Sequence, residues 1–291
     1  MHLIRYLSPA PGLHSYVRFY VQREVSLPGN APVVHPVPAR AAPMLEFDFG
    51  DLPRIHSCDR PQVTAAARCV VIGLQTYRRV RIEISGVHES FSLVFQPSGL
   101  HRLFRVPMAE LTNRDFDARA VLGPSMSELE RQLADCRTFE ARAHVADQYL
   151  LRQIPRAPVM DGVSAAANMS LLRAGQIPVA QLSHSTGLSA RQFERRFTQQ
   201  VGVRPKLYSR IARFEAALDS KLRSPGKSWL RIAHEFGYHD QMHLIHDFHE
   251  LSGEAPGRMQ SHGETLLRGQ LEAIHQSSAP DLNQSQAMLL L

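Results

Sequence analysis

The chain has 291 residues, 44% of them apolar and 21% charged, with a net charge of +6 and a pI near 9.5. That composition excludes a disordered or fibrous protein, and the length allows two ordinary cores. Cys58, Cys69 and Cys136 are too few and too scattered for a disulfide framework or a CxxC zinc site. The first residues lack a signal peptide's apolar core and no run reaches membrane-spanning length, so a cytoplasmic protein without a membrane partner is expected.

Residues 1 to about 96 read as strand-rich. Met44–Phe49 ends in a Gly-Asp turn, and the prolines at 28, 32, 36, 38 and 43 punctuate a loop before it. Arg79–Ser85 alternates polar and apolar side chains, as a half-buried strand should, and Phe91–Phe95 begins the same way. Ser98–Arg105 predicts a short helix. Ser125 and Thr138 are candidate N-caps of two more, the first carrying Leu129 and Leu133 as its apolar stripe. The second should stop near Pro155, where 155–162 has the composition of a linker. From Ser164 to about Gln260 the pattern is helical, and 261–291 shows no convincing periodicity, so that tail is expected to be mostly disordered.

Within the helical stretch one pattern occurs twice. Ile177–Phe197 and Ser228–Phe248 each spell a short apolar helix, a glycine turn (Gly187, Gly237), a Ser or Asp N-cap, and a second helix with polar flanks. The turn glycines stand fifty residues apart. A unit repeated only twice fits a duplicated helix-turn-helix and not a solenoid. The excess charge lies here too: residues 165–260 hold 13 Lys or Arg against 8 Asp or Glu, which favours a polyanionic partner.

At 100° per residue Phe193 and Phe197 fall on one side of the first reading helix, which would pack on Leu182, and Arg191, Arg195 and Gln199 on the other. An arginine so placed can meet O6 and N7 of guanine in the major groove, and Glu194 at the edge could accept from a cytosine amino group. In the second copy Leu244, Phe248 and Leu251 form the buried stripe, while His243, His246 and Glu250 point away and Gln241 and Met242 lie near the N-terminus. Ser189 and Gln192 complete the candidate DNA-binding set. Between the copies Lys206–Arg223, with Leu207, Ile211, Phe214, Leu218 and Leu222, predicts a helix about 27 Å long that ends at Ser224-Pro225-Gly226. That is enough to hold two reading heads about one DNA turn apart.

These residues carry a family resemblance. Gly187-Leu188-Ser189, Phe193, Phe197, Gly202-Val203-Arg204-Pro205 with Tyr208, Gly237-Tyr238 and the Gly253–Pro256 segment resemble the AraC/XylS family of transcription regulators over about residues 163–260. The resemblance implies two helix-turn-helix subdomains joined by a long helix. It puts base contacts on Arg191, Glu194 and Arg195, then on Gln241, Met242 and His246. Two positions depart from the pattern: Ser183 stands where alanine is usual, and His246 where arginine is common. Tyr16-Val17 with Tyr20, and Pro97–Leu100 running through Val106-Pro107 to Glu110-Leu111-Thr112, resemble the sensor half of one branch more loosely. That likeness implies a barrel-like regulatory module.

Two groups of histidines bear on metal binding. His239, His243, His246 and His249 share helical spacing, with Asp240, Asp247 and Glu250 near, but this is the face DNA would need. His35, His56, His88 and His101 could line a pocket but include no His-x-His pair. No phosphate loop, nucleophile elbow or paired carboxylates are found, so no catalytic residue, metal or cofactor is expected.

The reading is therefore an α+β protein. Residues 1–154 would form a β-rich, barrel-like sensor or oligomerisation domain with trailing helices, 155–162 a linker, 163–260 the DNA-binding unit and 261–291 the tail. Its partners would be double-stranded DNA, RNA polymerase by resemblance, a small-molecule effector and a second copy of itself. The alternative is an enzyme whose N-terminal barrel holds a small molecule and whose helices are accessory.

Overall fold

The computed structural model describes residues 2–27 and 32–267. Alternation builds the N-terminal half. β1 (His2–Leu7), β2 (Val17–Ser26), β4 (Met44–Asp48), β7 (Cys69–Ile72), β9 (Val87–Phe95) and β10 (Asp115–Asp117) form an antiparallel sheet in the order β1-β2-β9-β4-β7-β10. Along its strands Tyr20, Leu45, Phe47, Phe91, Leu93 and Phe95 join one buried cluster, while Arg23, Glu46, Asp48 and His88 face the opposite way. α4 (Ser125–Asp135) and α5 (Phe139–Leu151) cover the apolar face through Leu129, Leu133 and Phe139. The Phe139 ring meets Phe91 edge-on at 6.0 Å, and Asp147 of α5 accepts hydrogen bonds from Tyr20 Oη and the Ala10 amide.

A second antiparallel sheet lies against the other face: β3 (Val33–Val37), β5 (Arg54–Ser57), β6 (Val63–Ala65) and β8 (Val80–Ile84), in the order β3-β8-β5-β6. The expected β-rich, barrel-like module is built as two open sheets. Among the described residues no ladder joins them, and two of their edge strands, β6 and β10, are only three residues long. The proline-rich loop likewise holds β3, which carries Pro36 at a sheet edge where a missing donor is tolerated. Short helices α1 (Gly99–Phe104), α2 (Met108–Leu111) and α3 (Ala118–Leu122) follow the sheets.

Thr138 caps α5 by accepting from the Ala141 amide, as expected. Ser125 does not cap α4. The N-cap is Pro124, and the Ser125 hydroxyl pairs with Tyr149 Oη at 2.9 Å. A 3-10 turn at Ile154–Arg156 leads to Asp161, which caps α6 (Gly162–Leu172). α7 (Val179–His184), α8 (Ala190–Val201), α9 (Pro205–Arg223), α10 (Trp229–Glu235), α11 (Gln241–Ser252) and α12 (Pro256–Leu267) complete the fold. α12 continues past Gln260, where the tail was expected to begin; residues 268–291 lie outside the described residues. Among the described residues, no helix is long and apolar enough to cross a membrane.

The two halves pack on each other. Ala39, Ala41 and Leu74 belong to the same buried cluster as Tyr208, Phe214 and Leu251. The Ala39 amide donates to Leu251 O of α11, the Ala41 amide to Glu215 Oε1 of α9, and Arg78 pairs with Glu254, at 2.8, 2.8 and 2.7 Å. α2 lies on α8, where Thr112 Oγ1 donates to Gly202 O at 2.9 Å. A Cβ at Gly202 would stand 2.5 Å from Thr112 Oγ1, so glycine is what permits this approach.

Candidate nucleic-acid interface and inter-sheet cavity

Each helix-turn-helix is punctuated locally. Gly187 and Gly237 turn the chain with φ of +68° and +69°, a conformation that disfavours other side chains. Ser189 then caps α8 in a reciprocal box: its hydroxyl accepts from the Gln192 amide, and Gln192 Oε1 accepts from the Ser189 amide at 3.2 Å. Asp240 caps α11 by accepting from the His243 amide at 2.7 Å. That bond, followed by one from His239, holds the Asp240 carboxyl below the usual range.

Phe193 and Phe197 are buried with their rings 5.5 Å apart, and Phe197 meets Tyr208 of α9 edge-on. Leu244, Phe248 and Leu251 are buried in the second unit, Phe248 between Phe214 and Trp229. Arg191, Arg195 and Gln199 are exposed on the opposite side of α8, as are Gln241, Met242, His243 and His246 on α11. Met242 is 68% exposed, unusual for an apolar side chain with a core nearby.

Glu194 is paired with Arg204 Nε at 3.1 Å, so its charge is already met. Ser189 and Gln192 spend hydrogen bonds on their cap. Sequence reasoning missed Arg105 and Arg196. Together with His101, Arg102, Gln199 and Gln200 they line a groove beside α8, and only the packing of α1 against α8 brings Arg105 there.

Among the described residues, the group of side chains close enough to share a metal is His246, Asp247 and Glu250. Arg210 already pairs with Asp247 at 2.7 Å and also with Glu250, so an ion there would compete with a guanidinium. His35 and His88 share a cavity, while His56 pairs with Glu83 and His101 bonds Val106 O.

That cavity, about 310 Å³, lies between the two sheets. Its roof on the second sheet is Val37, Ile55, Val80, Ile82 and Ile84, so the alternation read along residues 79–85 points its apolar side chains into the cavity. Its floor carries Arg23, Glu46, Asp48 and His88. Arg23 and the Ser92 hydroxyl both donate to Glu46 Oε2, at 3.3 and 2.8 Å. Burial opposes ionising Glu46, but Arg23, the Ser92 hydroxyl, His88 and Arg40 together outweigh it and hold the carboxyl below its ordinary range. Burial, then the neighbouring Glu46, pushes Asp48 up to about 8, and burial lowers His88. A wider open groove of about 1160 Å³ runs between the two helix-turn-helix units and gathers no comparable set of buried charges.

Residues 182–262 match the family described as a helix-turn-helix domain. Residues 182–262 form a helix-turn-helix domain. This match overlaps the AraC/XylS resemblance read over about residues 163–260. Residues 5–117 match a domain of unknown function, DUF6597. No curated protein matches the chain. Among solved structures, ToxT from Vibrio cholerae is similar at 8% identity and a TM-score of 0.46, over 84% of this chain and 97% of that one. A second ToxT structure from Vibrio cholerae, with an unsaturated fatty acid bound, is similar at 7% identity and a TM-score of 0.44, over 83% and 94%.

Proposed function

We propose that the protein is a sequence-specific DNA-binding transcription regulator that reads two adjacent major-groove segments and is modulated by its N-terminal half. The observation that carries this reading is the duplicated helix-turn-helix on either side of the buried helix α9, each unit presenting a capped helix with a polar, exposed outer face. Arg191 and Arg195 are the base readers of the first unit, with Gln199, Arg196 and Arg105 beside the flanking phosphates. Gln241, His243 and His246 read in the second unit, and Met242 offers a thymine methyl an apolar contact. Glu194, held by Arg204, serves the first reading surface as a positioned acceptor. Ser189 and Gln192 fix the helix start and leave backbone amides for phosphate.

In this reading residues 1–154 are a regulatory domain, 155–162 its connection and 163–260 the DNA-binding core. The partners are duplex DNA, RNA polymerase, a small effector and a second copy of the chain, in the cytoplasm. The test is selection of duplexes from a random pool by the purified protein. Two conserved blocks about one helical turn apart, with affinity falling steeply as salt rises, are expected. Recovery of unselected sequence would overturn the assignment.

A further inference from the structure

The groove beside α8, about 250 Å³, gathers positive charge from both halves of the chain. α1 supplies Arg102 and Arg105, the connecting residues 155–162 supply Asp161, and α8 supplies Arg196 and Gln199. Both α1 arginines are held by carbonyls. Arg102, only 4% exposed, donates from Nη1 to Ser15 O at 2.9 Å and from Nη2 to Pro158 O at 3.3 Å, and among the described residues its Nε has no partner. Arg105 donates from Nη2 to Arg156 O at 3.0 Å. A carbonyl orients a guanidinium but brings no net charge to cancel it. The one carboxylate among the lining residues is Asp161, which attracts Arg102 and Arg196 alike. It already accepts the Ser164 amide and Gln200 Nε2, at 2.8 and 2.7 Å. Three guanidinium groups thus share one carboxylate, and a phosphoryl oxygen is the acceptor such a set favours.

The groove also adjoins the reading surface. Gln199 lies one turn along α8 from Arg195, Arg196 is next to Arg195 in sequence, and all three are exposed. A helix seated in a major groove has backbone phosphates at its flanks. Arg105 reaches the same place from the strand-rich half because α1 packs against α8. Resting on the DNA-binding reading given above, we propose that a DNA backbone phosphate beside the first reading helix seats between Arg105 and Arg196, with Arg102 behind them. The strand-rich half then supplies part of the DNA contact itself. The connecting residues serve as the clamp that keeps it there: Arg102 and Arg105 hold the carbonyls of Pro158 and Arg156, while Asp161 holds Gln200 of α8. Opening that clamp withdraws Arg105 from the DNA and leaves α8 to bind alone.

The test uses the full chain and a duplex of random sequence, on which phosphate contacts are read without base preference. Arg105 ends α1 in the left-handed conformation, at φ +60°, so the neutral substitute is asparagine, which tolerates it. Arg105→Asn should weaken binding about five- to tenfold near physiological salt and lower the slope of log affinity against log salt by about 1. Arg196→Gln should do the same, and Arg105→Lys should keep most of the slope. On a duplex recovered by the selection described above, Arg105→Asn should keep the wild-type base preferences, whereas Arg195→Ala changes them. Replacing single phosphates of that duplex by neutral methylphosphonates should find one position beside the first block where the wild type loses affinity and Arg105→Asn does not. Wild-type affinity and salt slope in Arg105→Asn, or a methylphosphonate response identical in the two proteins, overturns the proposal. Saturable micromolar binding of inorganic phosphate to the DNA-free wild type, absent in Arg105→Asn, assigns the groove to a free anion and overturns it too. A selection that returns no preferred sequence sinks the base-reading assignment alone, because the salt slope on the random duplex still reads the phosphate contact.

Discussion

Replacing Glu215 with glutamine should remove a pH-dependent cost from the contact between the two halves. Glu215 is 3% exposed, accepts the Ala41 amide at 2.8 Å, and sits near Arg18 and Arg40, with Asp219 one turn further along α9. Burial outweighs the two arginines and pushes its carboxyl from 4.5 up to about 7. A group whose folded pKa lies above its unfolded value contributes stability that is complete below about 4.5 and is lost as pH rises through about 7. At about 1.36 kcal/mol per pH unit, the loss by pH 8.5 is about 3 kcal/mol. Glutamine copies the protonated carboxyl in shape and keeps an oxygen for Ala41. The variant should therefore match the wild type at pH 4.5 and exceed it by about 3 kcal/mol at pH 8.5. Asp48, pushed up to about 8 in the cavity, adds its own loss to both proteins and cancels in the difference. Urea denaturation at the two pH values can be followed by the fluorescence of Trp229, the single tryptophan, which packs on Phe248. A difference between the proteins that stays constant with pH, or a Glu215→Gln protein weaker at pH 8.5, would refute the reasoning.

Arg195→Ala should relax base preference in one block of the selected site at a cost of about 1–3 kcal/mol, while Lys206→Ala should leave every preference unchanged; a repeat of the duplex selection with each variant decides it. Ser189→Ala should cost about 1 kcal/mol of stability by opening the capping box, read as a lowered urea midpoint with an unchanged slope. Phe248→Ala, which empties the space between Phe214 and Trp229, should cost about 3–5 kcal/mol by the same assay. Residues 163–267 produced alone should bind duplex DNA with a steep salt dependence, yet melt below the intact protein because Ala39, Ala41 and Leu74 no longer cover α9; duplex binding no better than that of residues 1–154 would count against an independent DNA-binding unit.

The helical half was legible because its signals are local. Glycine at the turn, Ser or Asp at the cap and phenylalanines four apart are each decided within a few residues, and α8 and α11 start where those caps predict. α9 was legible only on one side. Leu207, Ile211, Phe214, Leu218 and Leu222 mark its stripe, but Glu215 and Asp219 are buried as well, because the strand-rich half covers the face that a single-helix view assigns to water. The sheets were less legible for the same reason. Val80, Ile82 and Ile84 alternate correctly, yet Ile82 and Ile84 remain only half-buried because they roof a cavity and do not enter a core. Arg40 carries no sequence signal at all. It lies in a stretch of alanines and prolines, and its meaning comes from strands and helices distant in the chain.

The position of Arg40 and Glu215 on either side of one short segment constrains how any signal must pass. Glu215 is attracted by Arg40, so whatever weakens that attraction favours the protonated carboxyl on α9. The Ala41 amide then donates to a weaker acceptor, and the contact between segment 39–41 and the connecting helix loosens. α9 shares one buried core with both helix-turn-helix units, so a change in its hold on the strand-rich half would reach α8 and α11 together. Coupling of this kind is reciprocal: if a cavity ligand changes DNA affinity by some factor, DNA changes the ligand's affinity by the same factor, typically about 5–150-fold. Such a ligand should therefore bind less tightly, or more tightly, on the DNA complex by the very ratio it imposes on DNA. A cavity ligand that leaves DNA affinity unchanged would refute coupling through the segment 39–41.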